Sequence, residues 1–248
     1  MSENRKRIGI LLTWNCAQFL EAIYNRVPKE QFDEIIVSDD GSTDDTMAVA
    51  QRLGIKAFTH PHSGYGGNIK FGLRKALDLG AEYMVEIHGD DQYDPSFIPA
   101  ALNIMQDGAD LVLGSRFVDI CQPRRDKMPL ERYLANIGLS FIDRLILGIP
   151  LTEFHTGFRV YSRRLIETVG LENTSDDHLF SFQIIAKAAY CKLRVKELAI
   201  RCNYAQEHSS ISIMRSIVYA LRTFEVLGYF IVARVGFTTK LFRCTECA

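Results

Sequence analysis

Apolar positions along this chain fall into short runs rich in β-branched residues, separated by stretches with helical spacing. Ile8–Leu12 is apolar apart from one glycine and predicts a buried strand. Ala17–Asn25 follows as a helix, and Asp33–Ser38, built around Ile35-Ile36-Val37, as a second strand. Thr43–Leu53 predicts a helix with Met47, Ala50 and Leu53 on one face and Ser42 or Thr43 as its cap. Lys56–Thr59 is a third strand, after which the turn Gly64-Tyr65-Gly66-Gly67 opens a helix carrying Ile69, Leu73, Ala76 and Leu77. Tyr83–Ile87 and Leu111–Leu113 complete the strands of this half, with the helix Pro95–Gln106 between them.

Strands that alternate with helices build right-handed β-α-β units, so the expected fold class is α/β, a Rossmann-like, mostly parallel sheet flanked by helices. Ligands of such sheets sit at the carboxyl ends of the strands. Three of those ends carry Asp39 and Asp40, Asp90 and Asp91, and Arg116.

The second half reads differently. Asp119–Pro129 is polar and predicts a mobile loop, Leu130–Leu147 is amphipathic to strongly apolar, and Thr152–Arg159 is a turn-rich strip. Asp177–Tyr190 predicts a helix, Leu193–Ile200 a strand, and Ile213–Ala233 a long helix in which aromatics and arginines interleave. No internal repeat or interdomain linker is visible. The expected organisation is one catalytic domain over residues 1–210, followed by an amphipathic helical tail over 211–248.

Composition narrows the class. The chain has 248 residues, 47% of them hydrophobic and 24% charged, which fits a globular domain and excludes disordered, collagen-like and coiled-coil chains. The net charge of −1 gives no argument for nucleic acid. The charge is uneven, since residues 186–248 hold ten Lys/Arg against four Glu. The basic N-terminus runs straight into a strand, so no signal peptide is expected. The apolar run Val226–Ala233 is too short to span a bilayer. A cytoplasmic protein, peripheral on a membrane face, is the expectation. Six cysteines without a framework are expected to be reduced thiols. Cys244 and Cys247 form a lone C-x-x-C without a second ligand pair.

The carboxylate clusters carry the candidate chemistry. Asp39 and Asp40 can accept hydrogen bonds from a base or ribose, or with Ser42, Asp44 and Asp45 cap the next helix. Adjacent acids at Gly89-Asp90-Asp91-Gln92 repel unless a cation relieves them, and oxygen ligands at this density suit Mg2+ or Mn2+ held with a diphosphate. A solvated turn before a helix is the other reading of that cluster. The glycine turn offers backbone N–H groups to an anion or is a plain tight turn.

As an ordered set these motifs resemble the family 2 glycosyltransferases of the GT-A fold. The residues that carry the resemblance are Thr13-Trp14-Asn15, Val37-Ser38-Asp39-Asp40-Gly41-Ser42-Thr43-Asp44, Gly64-Tyr65-Gly66-Gly67, Gly89-Asp90-Asp91-Gln92-Tyr93-Asp94-Pro95, Gly114-Ser115-Arg116 and Thr156-Gly157-Phe158-Arg159. Within the family the chain looks most like the dolichyl- and polyprenyl-phosphate sugar transferases. The resemblance implies a UDP- or GDP-sugar donor bound by Thr13, Asn15, Asp39, Asp40, Gly66 and Lys70. It implies a divalent metal, Mg2+ or Mn2+, on Asp90 and Gln92, with His88 standing where the first acid of a D-x-D motif is usual. Asp90 and Asp91 are the catalytic candidates. Arg116, Arg132 and Asn136 fall where the acceptor phosphate is held, with asparagine replacing the usual serine. Arg159 belongs to a family motif, and His208 stands where a late donor-phosphate arginine is usual. Gln183 replaces a frequent glutamate.

A phosphate monoester acceptor is already largely dianionic at neutral pH and needs placement rather than deprotonation. A hydroxyl acceptor would need a base, for which Asp91 is the candidate. Two other readings stay open: transfer to a saccharide or lipid hydroxyl, and a non-catalytic sugar-nucleotide-binding protein.

Overall fold

A computed structural model describes residues 5–89, 93–201 and 213–243. The expected residues Asp90, Asp91, Gln92 and His208, and the C-x-x-C at Cys244 and Cys247, lie outside them. A seven-stranded sheet has the order β3-β2-β1-β4-β6-β5-β7. The strands are β1 (Arg7–Thr13), β2 (Glu34–Asp39), β3 (Lys56–Thr59), β4 (Tyr83–His88), β5 (Leu111–Ser115), β6 (Arg159–Ser162) and β7 (Val195–Ala199). All pairings are parallel except those of β6, which runs antiparallel between β4 and β5. The chain order reverses about β1, the point at which sheets of this kind receive ligands at the strand ends.

Helices α1 (Ala17–Arg26), α2 (Thr46–Arg52), α3 (Tyr65–Asp78) and α4 (Ile98–Gln106) follow the first strands, as the sequence predicts. The core has two clusters. One packs Ile8, Ile10, Met84, Leu111 and Tyr161 with the later helices, and the other packs Leu11, Val37, Val85, Val112 and Val160 with α1, α2 and α4. Alternate residues of β1 therefore serve different clusters, as the period of two in a strand requires.

Several expectations are corrected. α2 starts at Thr46 rather than Thr43, and neither Ser42 nor Thr43 caps it. The N-cap position is Asp45, whose side chain makes no capping bond, and Asp44 before it accepts from the Thr46 amide at 3.0 Å and the Ala17 amide at 3.1 Å. The loop Asp119–Pro129 contains a helical turn, α5 (Gln122–Arg125). The turn-rich strip before Arg159 leads into β6 and then α7 (Arg163–Val169), neither of which the apolar pattern shows. β6 is only four residues long, and two of them, Arg159 and Ser162, are polar yet buried because strands flank it on both sides. Cys191 is disulfide-bonded, whereas Cys16 and Cys121 are free.

α6 (Leu130–Leu147), α8 (Leu179–Tyr190) and α9 (Ile213–Arg234) cover one side of the sheet. α9 buries Val226, Leu227, Phe230 and Ala233 in the main cluster. Its stretch Ser216–Arg234 is long and apolar enough to cross a membrane by length and composition, with a mean hydropathy of 1.4. The eight-residue run alone does not suggest this, because Arg222 and Glu225 interrupt the apolar face without lowering the mean far. The inner face of this helix is committed to the protein core.

Candidate functional site

The ends of β1 and β2 are tied into one polar cluster. Asp39 is fully buried. Its carboxylate accepts from Thr13 Oγ1 at 3.1 Å, the Ser42 amide at 3.0 Å, Thr59 Oγ1 at 2.9 Å and the Ser42 hydroxyl. Four donors fill the two oxygens, and this satisfaction is what permits a buried charge. Asn15, with φ at +49°, accepts from the amides of Thr43 at 2.8 Å and Asp44 at 3.3 Å. Thr13, Asn15 and Asp39 thus hold one another and the loop after β2.

Asp40 faces the glycine turn. It accepts from the amides of Ser63 at 2.7 Å and Gly64 at 3.0 Å, and pairs with His62 Nδ1 at 2.8 Å. His62 in turn stacks on the exposed ring of Trp14, with centroids 4.9 Å apart. The turn is pressed against the chain before α8. A Cβ on Gly66 would come within 2.6 Å of the Asp177 carbonyl and 2.7 Å of the Ser175 carbonyl, so only glycine fits. Lys70, one helical turn on, pairs with Asp176 at 2.6 Å and donates to the Thr174 carbonyl. The opposite side of this segment is fixed too. The Ser175 amide donates to Gln183 Oε1 at 2.7 Å, and Arg222 of α9 pairs with Asp177 and donates to Ser175 Oγ at 3.0 Å.

The end of β4 carries a buried acid that the motif reading omits. Glu86 lies opposite Arg159 in the β4–β6 register. It accepts from Tyr65 at 2.7 Å and Tyr161 at 2.5 Å, and contacts His88 Nε2 at 3.0 Å. Burial opposes its charge, but His88, Arg159 and Tyr161 outweigh that, and its carboxyl lies below the ordinary glutamate range. Burial and the Glu86 charge push the Tyr65 and Tyr161 hydroxyls well up, so both remain donors. His88 Nε2 also lies 3.0 Å from the Gly157 carbonyl. Both neighbours of Nε2 are acceptors, so Nε2 carries the proton. The sequence signal for this cluster is a glutamate at an inward position of an apolar strand. Arg159 is buried, donating to Ser181 Oγ, so its place is in the core behind the strand ends.

At the end of β5, Arg116 is anchored on the buried carboxylate of Glu153, which also takes its backbone amide at 2.8 Å. Beyond it, His155 Nε2 donates to Asp143 of α6 at 2.9 Å, and the Tyr219 hydroxyl of α9 meets Nδ1 at 3.0 Å. Burial raises the Asp143 carboxyl, with His155 opposing. Sequence reasoning missed Glu153 and His155 on the loop before β6, Asp143 on α6 and Tyr219 on α9, which share no motif. Arg132 and Asn136 stand one turn apart on α6, with the Asn136 amide donating to the Arg132 carbonyl at 2.9 Å. Arg132 is exposed in the first turn of α6.

The strand ends therefore bring together Thr13, Asn15, Asp39, Asp40, the glycine turn and His88. No group of three or more His, Cys, Asp or Glu able to hold a metal occurs among the described residues.

Comparison with known proteins agrees with this arrangement. The chain is 28% identical over 217 residues to a UDP-N-acetylglucosamine–dolichyl-phosphate N-acetylglucosaminyltransferase of Methanococcus voltae, covering 79% of this chain and 85% of that protein. It is 28% identical to a polyprenol monophosphomannose synthase of Mycolicibacterium smegmatis, over 73% of this chain and 70% of that protein. An undecaprenyl-phosphate mannosyltransferase of Micrococcus luteus is 27% identical, over 67% and 70%. Among solved structures, glucosyl-3-phosphoglycerate synthase from Mycobacterium tuberculosis, in complex with Mn2+, UDP-glucose and glycerol 3-phosphate, superposes with a TM-score of 0.66. That match has 16% identity and covers 96% of this chain and 82% of the other, so the likeness is one of fold, the GT-A architecture. The sequence model of glycosyl transferase family 2 matches residues 10–170, and the chain belongs to that family.

Proposed function

We propose that the protein is an inverting, metal-dependent transferase that moves a sugar from a UDP- or GDP-sugar to a polyprenyl phosphate at a cytoplasmic membrane surface. The names of the relatives support this acceptor class, and one feature of the fold carries it. α6 turns an apolar stripe of Leu130, Leu134, Phe141 and Leu145 outward, while Arg132 and Asn136 in its first turns stand on the opposite side, the side on which Ser140, Asp143 and Leu147 are buried. An apolar helix face turned outward with a cation on the domain side suits a phosphate carried on a lipid tail.

In this reading Asp39 and Thr13 hold the loop that receives the nucleoside, and Asp40 fixes the glycine turn beside which the donor lies, with Lys70 braced on Asp176. Arg116 and Arg132, with Asn136, position the acceptor phosphate. The guanidinium fork of Arg132 suits that task, while Glu153 already takes Nε and Nη2 of Arg116. An already ionised phosphate attacks without a general base, and direct displacement inverts the anomeric centre. A hydroxyl acceptor would instead call on Asp91 as the base.

The metal reading fits the described part of the site. Glu86 grips His88 at Nε2, which is how carboxylates orient metal-ligating imidazoles, and ligation would then fall to Nδ1, with Asp90 and Gln92 completing the donor set. A nitrogen ligand favours Mn2+ over Mg2+. A divalent ion there would stabilise the leaving diphosphate.

The test is a screen of UDP- and GDP-sugars with detergent-solubilised polyprenyl phosphate, with and without chelator, and with Asp90→Asn. Lipid-linked sugar should form only with metal, and Asp90→Asn should lower turnover by orders of magnitude with unchanged melting. Transfer to soluble hydroxyl acceptors alone would overturn the acceptor, and full activity in excess chelator would overturn the metal.

A further inference from the structure

The chain 151–157, between α6 and β6, reaches several parts of the molecule at once. Glu153 takes Nε, Nη2 and the backbone amide of Arg116 at the end of β5. The His155 carbonyl accepts from Arg116 Nη2 as well, at 3.3 Å. Two residues on, the Gly157 carbonyl lies 3.0 Å from His88 Nε2, and the Gly157 amide donates to the Tyr93 hydroxyl at 2.8 Å. The same stretch runs against α6. Arg144 Nε donates to the Leu151 carbonyl at 2.8 Å, the Phe154 amide to Ser140 Oγ at 3.4 Å, and His155 Nε2 to Asp143 at 2.9 Å.

His155 is the side chain that enters between the helices. Its ring is largely buried, stacks on Phe182 of α8 with centroids 5.6 Å apart, and accepts at Nδ1 from the Tyr219 hydroxyl of α9. Burial pushes that hydroxyl up, so it stays a donor. Asp143 is fully buried, and its Oδ1 has no partner among the described residues, which leaves His155 as the support of the carboxyl group. A buried acid–imidazole pair is a costly way to fill space, because apolar side chains of similar volume pack without the desolvation penalty. What the pair adds is direction. Apolar contact is non-directional and lets a helix roll, whereas a hydrogen bond selects one rotation.

That rotation bears on the acceptor side. Asp143 follows Arg132 by eleven residues and Asn136 by seven, about three turns and two turns of helix, so the three share one face of α6. A roll of α6 would carry Arg132 and Asn136 sideways from Arg116, whose anchor Glu153 lies two residues before His155. We propose that His155 is a positioning residue for transfer: by joining Asp143 of α6 to the stretch that grips Arg116, it sets Arg132 and Asn136 in register with Arg116 across the acceptor-phosphate site. His155 itself touches neither substrate. The inference rests on the polyprenyl-phosphate reading above.

Steady-state transfer to detergent-solubilised polyprenyl phosphate tests it. The double variant His155→Leu, Asp143→Ala keeps the side-chain volume and leaves no stranded acid. It should melt near wild type and still show an acceptor KM raised about tenfold, with the donor KM and the affinity for UDP or GDP unchanged. A purely structural role predicts that melting and acceptor KM recover together. His155→Gln, whose amide can donate to Asp143 in place of Nε2, should bring the acceptor KM back towards wild type, and it decides the matter if the double variant melts low. Amide hydrogen exchange reads the tie without substrate: residues 130–140 should exchange faster in the double variant, while β1 and α3 keep their wild-type rates. An unchanged acceptor KM, donor and acceptor KM rising together, a glutamine variant no better than leucine, or unchanged exchange in α6 would each overturn the role of His155 while lipid-linked sugar still forms. Wild-type protein that forms no lipid-linked sugar with any UDP- or GDP-sugar would overturn the underlying reading, and this inference with it.

Discussion

Single residues in this protein are buried with charge for reasons that differ, and the difference can be measured. Asp39 and Glu86 are carboxyl groups whose oxygens are filled by hydroxyl, amide and imidazole partners. Lys187 of α8 is buried with less support, its ammonium donating to the Gly170 carbonyl at 2.8 Å. Burial pulls its pKa from 10.5 down to about 8, with Glu172 opposing. Holding the proton in the folded state therefore costs about 3 kcal/mol. Below pH 8 both states keep the proton and the cost is constant. Between about pH 8 and 10.5 the unfolded chain binds more protons, so stability rises with pH, and above that window the cost is gone. Lys187→Met should therefore stabilise the protein at pH 7 by about 1–3 kcal/mol, less what the Gly170 carbonyl loses. The gain should shrink towards pH 10. Denaturant unfolding at both pH values checks this, and an equal gain at both would mean that charge burial is not the cost.

At the scale of elements, two helical glycines make opposite demands. Gly66 in the first turn of α3 sits against the Ser175 and Asp177 carbonyls and Phe180, with no room for a methyl group. Gly66→Ala must push α3 away from the chain before α8, and should cost about 1–3 kcal/mol by overpacking. It should also weaken donor binding, because the same turn is tied to Asp40. Gly138, in the middle of α6, has nothing within 4 Å of where a Cβ would stand. Gly138→Ala should stabilise the protein by about 0.5–1 kcal/mol through helix propensity alone. Thermal unfolding of both, with calorimetry of UDP and GDP on the first, tests the pair. A loss of stability at Gly138 would show that α6 has a close neighbour at that point in solution.

The whole molecule joins its apolar helices to its candidate donor site through few side chains. Arg222 of α9 holds Asp177 and Ser175, the segment that receives the glycine turn, while Lys70 holds Asp176 from the other side. Tyr219, one turn earlier on α9, closes the chain through His155 to Asp143 of α6. Arg222→Ala should therefore raise the donor KM several-fold with little change in melting, since the ion pair is partly exposed and exposed pairs contribute about 0–1 kcal/mol to stability. Arg222→Lys should recover part of that loss. If the acceptor KM moves instead, α9 acts on the lipid side of the site and not through this loop.

Much of this was legible from the chain alone. The alternation of β-branched runs with helical spacing determined β1 to β5, the helices between them and the parallel order of the first half, and the same periods marked α8, β7 and α9 in the second. Local physics governs those features: period, propensity and the glycine turn. Motif order determined the family, because Asp39, Asp40, the glycine turn and Arg116 fall at successive strand ends in a doubly wound sheet. Only the tertiary structure decided the rest. β6 is a strand because two neighbours complete its hydrogen bonds, which no run of four residues containing a buried arginine can announce. Glu86, Glu153, His155, Asp143 and Tyr219 acquire partners from elements 12 to 75 residues away. The open cavity among the end of α6, the chain entering β7 and the end of α9 exists only where three distant segments meet. Spacing along a chain encodes which face a residue takes, but a partner across the fold is chosen by packing.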